Sequence, residues 1–298
     1  MDQHGMSRPD RQYLIGVDGG GTSCRIALLR DGQRFEVALE RANVASDRDG
    51  AIATIRQGLD SVLAKAGLTP GDLAHCKVYM GLAGILSTAD SADVARAFQA
   101  NHIAVFDDRE LALRHALGDT DGAIASIGTG SFIGRRSKTS VRYIGGWGLV
   151  LDDAASGAWL GRAAFRDTVR AVDGFHPETP LTAEILADFD NSAADLVGFS
   201  LSASPADFAS YAPLVVAKAA KQDAVAIRLM HLGADYICRS LAVLGWQTGE
   251  TLCLIGGLGP HYTLHLPDAI AASVVAPKGS ALDVALTLAA GLGREGTP

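Results

Sequence analysis

The chain has 298 residues, 48% of them hydrophobic and 20% charged. This length and composition are typical of a globular protein of about two domains and exclude extensive disorder or a low-complexity scaffold. Lysine and arginine together number 26 and aspartate and glutamate 33, for a net charge of −7, so the overall field does not favour a nucleic-acid partner.

The first part of the chain predicts an α/β domain that begins with a hairpin. A polar tail over residues 1–12 precedes a buried strand, and Gly19-Gly20-Gly21 then forms a tight turn into a returning strand. The predicted strands cover residues 13–18, 22–29, 34–39, 77–82 and 102–106. Helical spacing of apolar residues predicts helices over residues 51–66, 90–99 and 109–117. The resulting order, βββαβαβα, predicts a ribonuclease H-like domain over residues 13–118.

The second part of the chain, residues 119–298, opens in the same way. A strand over residues 123–127 leads into Gly128-Thr129-Gly130, and two strands follow over residues 131–135 and 141–144. The predicted helices then cover residues 156–172, 182–188, 205–219 and 223–244, before a strand over 251–255 and a last helix over 280–292. We therefore predict a related second domain with a helical insertion, whose last helix packs back on the first domain.

Three glycine clusters follow predicted strands, at Gly19-Gly20-Gly21, Gly128-Thr129-Gly130 and Gly256-Gly257. Sheets of this kind bind ligands beyond the carboxyl ends of their strands. The pattern GxxxxGK[ST] is absent and no GxGxxG follows a predicted strand, which excludes the P-loop and Rossmann nucleotide sites. A glycine hairpin can present backbone N–H groups to an anion, although a single one is more often a plain turn. The matched pair of turns predicts a nucleotide cleft between the two domains.

These residues also carry a resemblance. Residues 16–23 (GVDGGGTS) resemble the first phosphate loop of the N-acetylglucosamine kinase and bacterial glucosamine kinase group, within the BadF/BadG/BcrA/BcrD-type ATPases of the actin, sugar kinase and heat-shock chaperone fold. The similarity runs from about residue 13 to the last helix. It implies an ATP-dependent kinase of an amino sugar, with ATP and Mg²⁺ as cofactors. The implied nucleotide contacts are Gly19, Gly20, Gly21, Thr22, Gly128, Thr129, Gly130, Ser131, Gly256, Gly257 and Ser280.

Three carboxylates have implied or competing roles at the reacting phosphate. The resemblance implies that Asp18, at the end of the first strand, holds Mg²⁺; the alternative is a turn-capping aspartate. Asp107 and Asp108 compete for the base that the acceptor hydroxyl needs. Asp107 and Glu110 match a D-x-x-E capping box, which makes Asp107 the better N-cap. Asp108 falls at the first helical position, where the helix N-terminus would keep it ionised, and the resemblance also assigns the base to this residue.

The resemblance implies a sugar site as well. It places Asn43 at a sugar-binding position, with an Asx turn as the alternative. The segment from Gly146 through Trp147 and Gly148 to Asp153 matches the Gly-Gly-Trp-Gly segment and a following aspartate, and the alternative for Trp147 is ordinary core packing. Residues 152–156 (DDAAS) depart from the usual Gly-Asp-Glu-Gly-Ser of the acetylamino sugar kinases. The sugar, glucosamine or N-acetylglucosamine, therefore stays open.

Two other functions compete with the kinase. An ATP-driven activator of a dehydratase or reductase would need cysteines for an iron–sulfur cluster, but Cys24, Cys76, Cys238 and Cys253 are widely spaced and favour reduced, buried thiols. A non-catalytic sugar sensor with the kinase fold is the other alternative. The polar start and the absence of a long apolar run predict a cytoplasmic protein with a small-molecule sugar substrate and no membrane partner, and a homodimer is one of the oligomeric states left open.

Overall fold

The computed structural model describes residues 13–293, so the predicted tail over residues 1–12 lies outside the described residues, as do residues 294–298. The described chain divides into two compact units. Unit 1 contains the residues up to His115 and those from Gly279 onward, and unit 2 contains residues 116–278. The chain therefore leaves unit 1 once, forms unit 2, and returns to unit 1 for its last helix.

Unit 1 is built on a five-stranded sheet with the order β3-β2-β1-β4-β5. The strands are β1 (Tyr13–Gly19), β2 (Cys24–Arg30), β3 (Gln33–Leu39), β4 (Cys76–Leu82) and β5 (His102–Asp107). The hairpin strands β1, β2 and β3 are antiparallel, whereas β4 runs parallel to β1 and β5 parallel to β4. The helices are α1 (Arg48–Lys65), α2 (Thr88–Ala95), α3 (Asp108–Leu117) and the C-terminal helix (Ala281–Gly291). A 3₁₀-helix, Pro70–His75, precedes β4.

The strand alternation of β1 separates the two faces of this sheet. Ile15 and Val17 are fully buried in the core formed with α1. The C-terminal helix packs against β1, β2 and β4 on the other face, where Leu14 packs against the cluster of Ala27, Leu282 and Leu286. A β-carbon added at Gly16 would lie 2.8 Å from the Ala285 Cβ, so glycine at this position allows the close approach of that helix.

Unit 2 is built on a four-stranded sheet with the order β8-β7-β6-β9. The strands are β6 (Gly122–Ile127), β7 (Ser131–Ser137), β8 (Ser140–Gly145) and β9 (Leu252–Ile255). Between β8 and β9 lie α4 (Gly157–Val172), α5 (Pro180–Ala187), α6 (Ala193–Ser202), α7 (Pro205–Ala209), α8 (Ala212–Ala220) and α9 (Ala224–Val243). A 3₁₀-helix, Gly259–His265, and α10 (Asp268–Ala271) follow β9. Val274 forms an isolated parallel bridge with Leu252, at the edge of β9 where a fifth strand would lie.

The predicted mixed α/β fold, with helices inserted in the second part, is confirmed. The sequence interpretation did not include α6, and it treated residues 205–219 as one helix where the structure has two. Ser210 and Tyr211 separate α7 from α8, and Pro213 lies in the first turn of α8, where its missing N–H costs no hydrogen bond. Over residues 13–293, no helix combines the length and the apolar character that crossing a bilayer would require.

Candidate active site

The first glycine turn, residues 19–23, joins β1 to β2 in unit 1. The Gly20 N–H donates to the Ser23 carbonyl oxygen at 2.9 Å, and the Gly20 carbonyl oxygen accepts from the Ala42 N–H at 3.1 Å. Backbone hydrogen bonds therefore hold the turn both within itself and to the segment that follows β3. The predicted nucleotide contacts Gly19, Gly20, Gly21 and Thr22 all lie in this turn or at its start.

Three of the predicted nucleotide-contact glycines have uncovered backbone. A β-carbon added at Gly21, Gly128 or Gly257 would meet no atom within 4 Å, and none of the three has a positive φ. Within residues 13–293, therefore, neither packing nor backbone conformation requires glycine at these positions. Open space of this kind lets a ligand approach the backbone of these turns closely.

Asp18 lies on β1 just before the first glycine turn, and its side chain is 17% exposed. Its Oδ2 accepts a hydrogen bond from Arg25 Nη2 at 2.5 Å, because Arg25 is the residue directly opposite on β2. Over residues 13–293, no group of three or more histidine, cysteine, aspartate or glutamate side chains is arranged to hold a metal ion. Mg²⁺ in phosphate-transfer sites is usually bound by one or two carboxylates together with phosphates and water. A single strand-end carboxylate therefore fits that ion.

Asp108 is the first residue of α3 and directly follows β5. Gly81 on β4 allows the start of α3 to approach the sheet, since a β-carbon added there would lie 3.6 Å from Asp108 Cα and 3.2 Å from Leu111 Cβ. Gly81 also pairs with Asp18 in the parallel register of β1 and β4. The fold of unit 1 thus brings Asp18 and Asp108 to the same edge of its sheet.

The pKa of the Asp108 carboxyl is raised to about 7. Burial is the largest cause, followed by the charge of Asp107, a hydrogen bond with the Asp107 carboxyl, and the charge of Asp18; Arg109 opposes the shift. The direction of this shift is opposite to the one expected from the helix N-terminus alone. Burial and two neighbouring carboxylates outweigh the stabilisation of negative charge by the helix N-terminus.

Asp107 caps α3, as the sequence predicts. Its Oδ1 accepts from the Arg109 N–H at 2.8 Å, and its Oδ2 accepts from Arg109 Nε at 2.6 Å. The predicted partner of the capping box, Glu110, instead accepts a hydrogen bond from Arg114 Nε at 2.9 Å, one helical turn further along. The Asp107 carboxylate is therefore occupied by hydrogen bonds that cap α3, whereas the Asp108 carboxyl is the one whose pKa is raised.

Asn43 lies in the segment between β3 and α1, where it forms the Asx turn weighed above as an alternative. Its Oδ1 accepts from the N–H groups of Ala45 and Ser46 at 3.0 and 3.1 Å, and the Val44 N–H donates to the Ala83 carbonyl oxygen at 2.9 Å. In the described part of the chain, no group accepts a hydrogen bond from Asn43 Nδ2. The turn therefore uses the oxygen of the side chain and leaves the amide N–H groups to donate to a ligand.

The second glycine turn, residues 128–130, joins β6 to β7 in unit 2. The Gly128 N–H donates to the Gly130 carbonyl oxygen at 2.9 Å. The start of α4 is hydrogen-bonded to this turn, since the Gly157 N–H donates to the Gly128 carbonyl oxygen at 2.8 Å and the Ala158 N–H donates to the Thr129 carbonyl oxygen at 3.2 Å. Backbone hydrogen bonds therefore hold this turn within itself and to a neighbouring segment, as they do the first.

The Gly256-Gly257 turn lies directly beside the second glycine turn in unit 2. Gly256 has φ +83°, and a β-carbon added there would lie 2.4 Å from the Ile127 carbonyl oxygen. That same oxygen accepts from the Leu258 N–H at 3.0 Å. Ile127 is the last residue of β6 and directly precedes the second glycine turn. Its carbonyl oxygen therefore holds the Gly256-Gly257 turn beside the second glycine turn.

The segment over residues 145–153, named the Trp147 loop below, follows β8. Trp147 is 67% exposed, which excludes the alternative of core packing. Gly145, Gly146 and Gly148 all have positive φ, a conformation that favours glycine. The Gly146 N–H donates to the Ser131 carbonyl oxygen at 2.8 Å, so the loop is joined to the residue that follows the second glycine turn.

Asp153, the last residue of the Trp147 loop, accepts a hydrogen bond from a residue of the same loop. Its side chain is buried, and its Oδ1 accepts from the Gly148 N–H at 3.1 Å. Burial raises the pKa of this carboxyl, whereas hydrogen bonds from the N–H groups of Gly148 and Ser131 oppose the rise. Asp153 therefore holds the loop against the second glycine turn, and its contact with a sugar stays a prediction.

The predicted site residues fall into two groups, one in each unit. Unit 1 brings together the first glycine turn, Asp18, Asn43 and Asp108, and it also contains Ser280. Ser280 caps the C-terminal helix, since its Oγ accepts from the Asp283 N–H at 3.2 Å. Unit 2 contains Gly128, Thr129, Gly130, Ser131, Gly146, Trp147, Gly148, Asp153, Gly256 and Gly257.

Sequence reasoning missed two residues that contact this machinery. Arg25 pairs with Asp18, and its place opposite Asp18 could have been read from the hairpin register around the first glycine turn. Tyr236 on α9 donates to Asp152 Oδ2 at 3.2 Å. No local pattern indicates that second contact, because 84 positions of the chain separate the two residues.

Comparison of the chain with known proteins identifies the family to which it is similar. The model of the BadF/BadG/BcrA/BcrD ATPase family matches residues 15–275. The glucosamine kinase GspK of Vibrio cholerae is 30% identical over 286 residues, which cover 93% of this chain and 95% of that protein. An N-acetylmuramic acid/N-acetylglucosamine kinase of Clostridium acetobutylicum is 30% identical over 183 residues, or 59% of each chain.

Solved structures agree with this assignment. A Chromobacterium violaceum protein, provisionally named an N-acetylglucosamine kinase, superposes with a TM-score of 0.86 at 30% identity, over 94% of this chain and 100% of that one. A glucokinase of the ROK family from Streptomyces griseus shares the fold, with a TM-score of 0.57 at 17% identity over 93% and 98% of the two chains. The family match, the full-length relative and the close structural neighbour lead to one conclusion: the chain belongs to the BadF/BadG/BcrA/BcrD ATPase family.

Proposed function

We propose that this protein is an ATP-dependent kinase that phosphorylates a hydroxyl group of an amino sugar, either glucosamine or N-acetylglucosamine. The observation that carries the proposal is the position of Asp108, a carboxyl with a pKa raised to about 7 at the same sheet edge as Asp18 and the first glycine turn. A general base acts best when its pKa lies near the working pH. The relatives named as glucosamine and N-acetylglucosamine kinases support the choice of acceptor.

Each unit, taken by itself, has a glycine turn that could contact a nucleotide. The uncovered backbone at Gly21 and Gly128 supports phosphate contacts, and Gly257 supports a contact on the adenosine side. Asp18 would hold Mg²⁺, which when bound neutralises charge on the phosphate oxygens. In the absence of the ion, Arg25 pairs with the Asp18 carboxylate.

In the chemical step, the sugar hydroxyl oxygen attacks the γ-phosphorus of ATP. The bond from that phosphorus to the β–γ bridging oxygen breaks, and ADP leaves with the electron pair. The hydroxyl proton passes to the Asp108 carboxylate. Because phosphoryl transfer goes through a loose transition state, positioning and charge stabilisation by the turns contribute more than the strength of the base.

A panel of sugars tests the proposal directly. Purified protein with ATP and Mg²⁺ is expected to release ADP with glucosamine or N-acetylglucosamine at rates well above those with glucose, and mass spectrometry of the product should show a sugar monophosphate. A flat ADP trace across the panel, with ATP and sugar both bound in calorimetry, would instead support a sugar sensor with the kinase fold.

Asn43 gives a separable test of the sugar site. Asn43→Asp keeps the acceptor oxygen of the Asx turn and removes the Nδ2 donor, so we expect an unchanged melting temperature and a sugar affinity at least about 10-fold weaker. ATP affinity, measured in the same calorimeter, should stay within about twofold. Asn43→Ala is the companion variant, and it should lose both the turn and the sugar contact. Unchanged sugar binding in Asn43→Asp would remove Asn43 from the site.

A further inference from the structure

Tyr236 lies outside every motif that the nucleotide or sugar would use, yet it contacts both ends of the Trp147 loop. Its hydroxyl donates to Asp152 Oδ2 at 3.2 Å, near the end of the loop. At the beginning of the loop, a β-carbon added at Gly145 would lie 3.0 Å from the same hydroxyl oxygen. One phenol from α9 therefore touches the loop where it leaves β8 and where it turns toward α4.

The Tyr236 hydroxyl is held in its protonated, donating form. The pKa of this hydroxyl is raised to about 12, first by burial and then by the charge of Asp152 and the hydrogen bond to it, whereas a hydrogen bond from Ser240 opposes the shift. Tyr236 therefore donates to Asp152 at any pH at which the protein would work.

The Trp147 loop needs such a constraint. It has positive φ at three glycines and exposes the side chains of Trp147, Val150 and Leu151, which are 67%, 92% and 79% exposed. Glycine-rich backbone has many conformations to lose, and exposed apolar side chains add little packing energy within the protein. Asp153 fixes the loop from inside through Gly148, and the Tyr236 hydroxyl fixes it from the helical insertion.

We infer that Tyr236 is a positioning residue of the sugar site, which holds the Trp147 loop in the conformation that binds the sugar. The inference rests on the proposed function, because it assigns the role of the Trp147 loop to sugar binding. It gives the helical insertion a part in the activity through α9. Loss of the hydroxyl would then weaken sugar binding without removing any group that touches the reacting atoms.

Tyr236→Phe tests this role, because it keeps the aromatic ring and removes only the hydroxyl. We expect KM for the sugar to rise about 10-fold, with kcat and KM for ATP within about twofold of the unaltered protein. Hydrogen exchange of backbone amides over residues 145–153 should become faster, and acrylamide should quench Trp147 fluorescence more strongly. The signal of Trp147 is isolated by subtraction of a Trp147→Phe variant.

Tyr211→Phe is the matched control, since Tyr211 lies in the same helical insertion and its hydroxyl bonds to a different aspartate, Asp188. This control should leave the sugar KM and the exchange of residues 145–153 unchanged. An unaltered sugar KM in an active Tyr236→Phe enzyme would overturn the inference. If the unaltered protein phosphorylates no sugar, the proposed function fails; exchange and quenching then still decide whether Tyr236 fixes the loop.

Discussion

Asp108→Asn is expected to lower kcat with the preferred amino sugar by at least about 10²-fold, with little change in KM for ATP. The substitution keeps the size and the polar character of the side chain and removes its ability to accept the hydroxyl proton. The glycine turns and Asp18 remain, so a residual rate from positioning and charge stabilisation should persist. A coupled assay of ADP release, at saturating ATP, measures this loss.

Asp107→Asn is the matched control, because asparagine also caps helices well. It should retain most of the activity, and it should also move the pH profile. In the unaltered enzyme, kcat/KM for the sugar should rise with an apparent pKa near 7 as Asp108 ionises. Asp107→Asn removes a neighbouring negative charge, so this pKa should fall, and Asp108→Asn should abolish the rise. A larger loss of kcat in Asp107→Asn than in Asp108→Asn would reverse the assignment of the base.

Stability gives a check on the same carboxyl. The folded pKa of Asp108 lies above its unfolded value, so its ionised form is disfavoured in the fold and costs stability as the pH rises from about 4 through about 7. Asp108→Asn should therefore melt at the same temperature as the unaltered protein near pH 4, and at the same or a higher temperature at pH 8. A low kcat together with this pattern would separate lost chemistry from lost folding.

The glycine turns, the order of strands and helices along the chain, and the start of α3 could be predicted from sequence because local signals determine them. Gly19-Gly20-Gly21 and Gly128-Thr129-Gly130 each interrupt an apolar run, and the Asp107 cap marks the beginning of a helix within a few residues. The breaks of the helical insertion were harder to place. The division of residues 205–219 into two helices does have a local signal, Pro213, because proline is favoured in the first turn of a helix and disfavoured in its interior.

The ionisation of Asp108 and the contact of Tyr236 could not be predicted in this way. The helix N-terminus and the adjacent Asp107 are both visible in the sequence. The burial, which is the largest cause of the raised pKa of Asp108, and the nearby Asp18 arise only when β1, β4 and β5 are assembled. Tyr236 meets Asp152 only because α9 folds back beside the Trp147 loop. Both effects depend on tertiary contacts, and both change the electrostatics of the site and not the positions of its turns and strands.

Gly256→Ala should be the most disruptive single-methyl change in the nucleotide site. Its φ of +83° is strained for any residue with a β-carbon, and the added methyl would lie 2.4 Å from the Ile127 carbonyl oxygen, which is backbone and cannot rotate away. We expect a loss of stability on the order of 3 kcal/mol, seen as a melting temperature lower by about 10 °C. ATP affinity in calorimetry should fall as well, because the clash displaces the end of β6 where the second glycine turn begins.

The neighbouring residue separates the structural cost from the ligand contact. A β-carbon at Gly257 meets no protein atom within 4 Å and Gly257 has no positive φ, so Gly257→Ala should leave the melting temperature of the free protein unchanged. If the nucleotide approaches this bare backbone, the same methyl should weaken ATP binding about 10-fold or more. Full ATP affinity in Gly257→Ala would show that the nucleotide does not contact this turn. A Gly256→Ala protein as stable as the unaltered one would show that the backbone at Ile127 can shift to accept the added methyl.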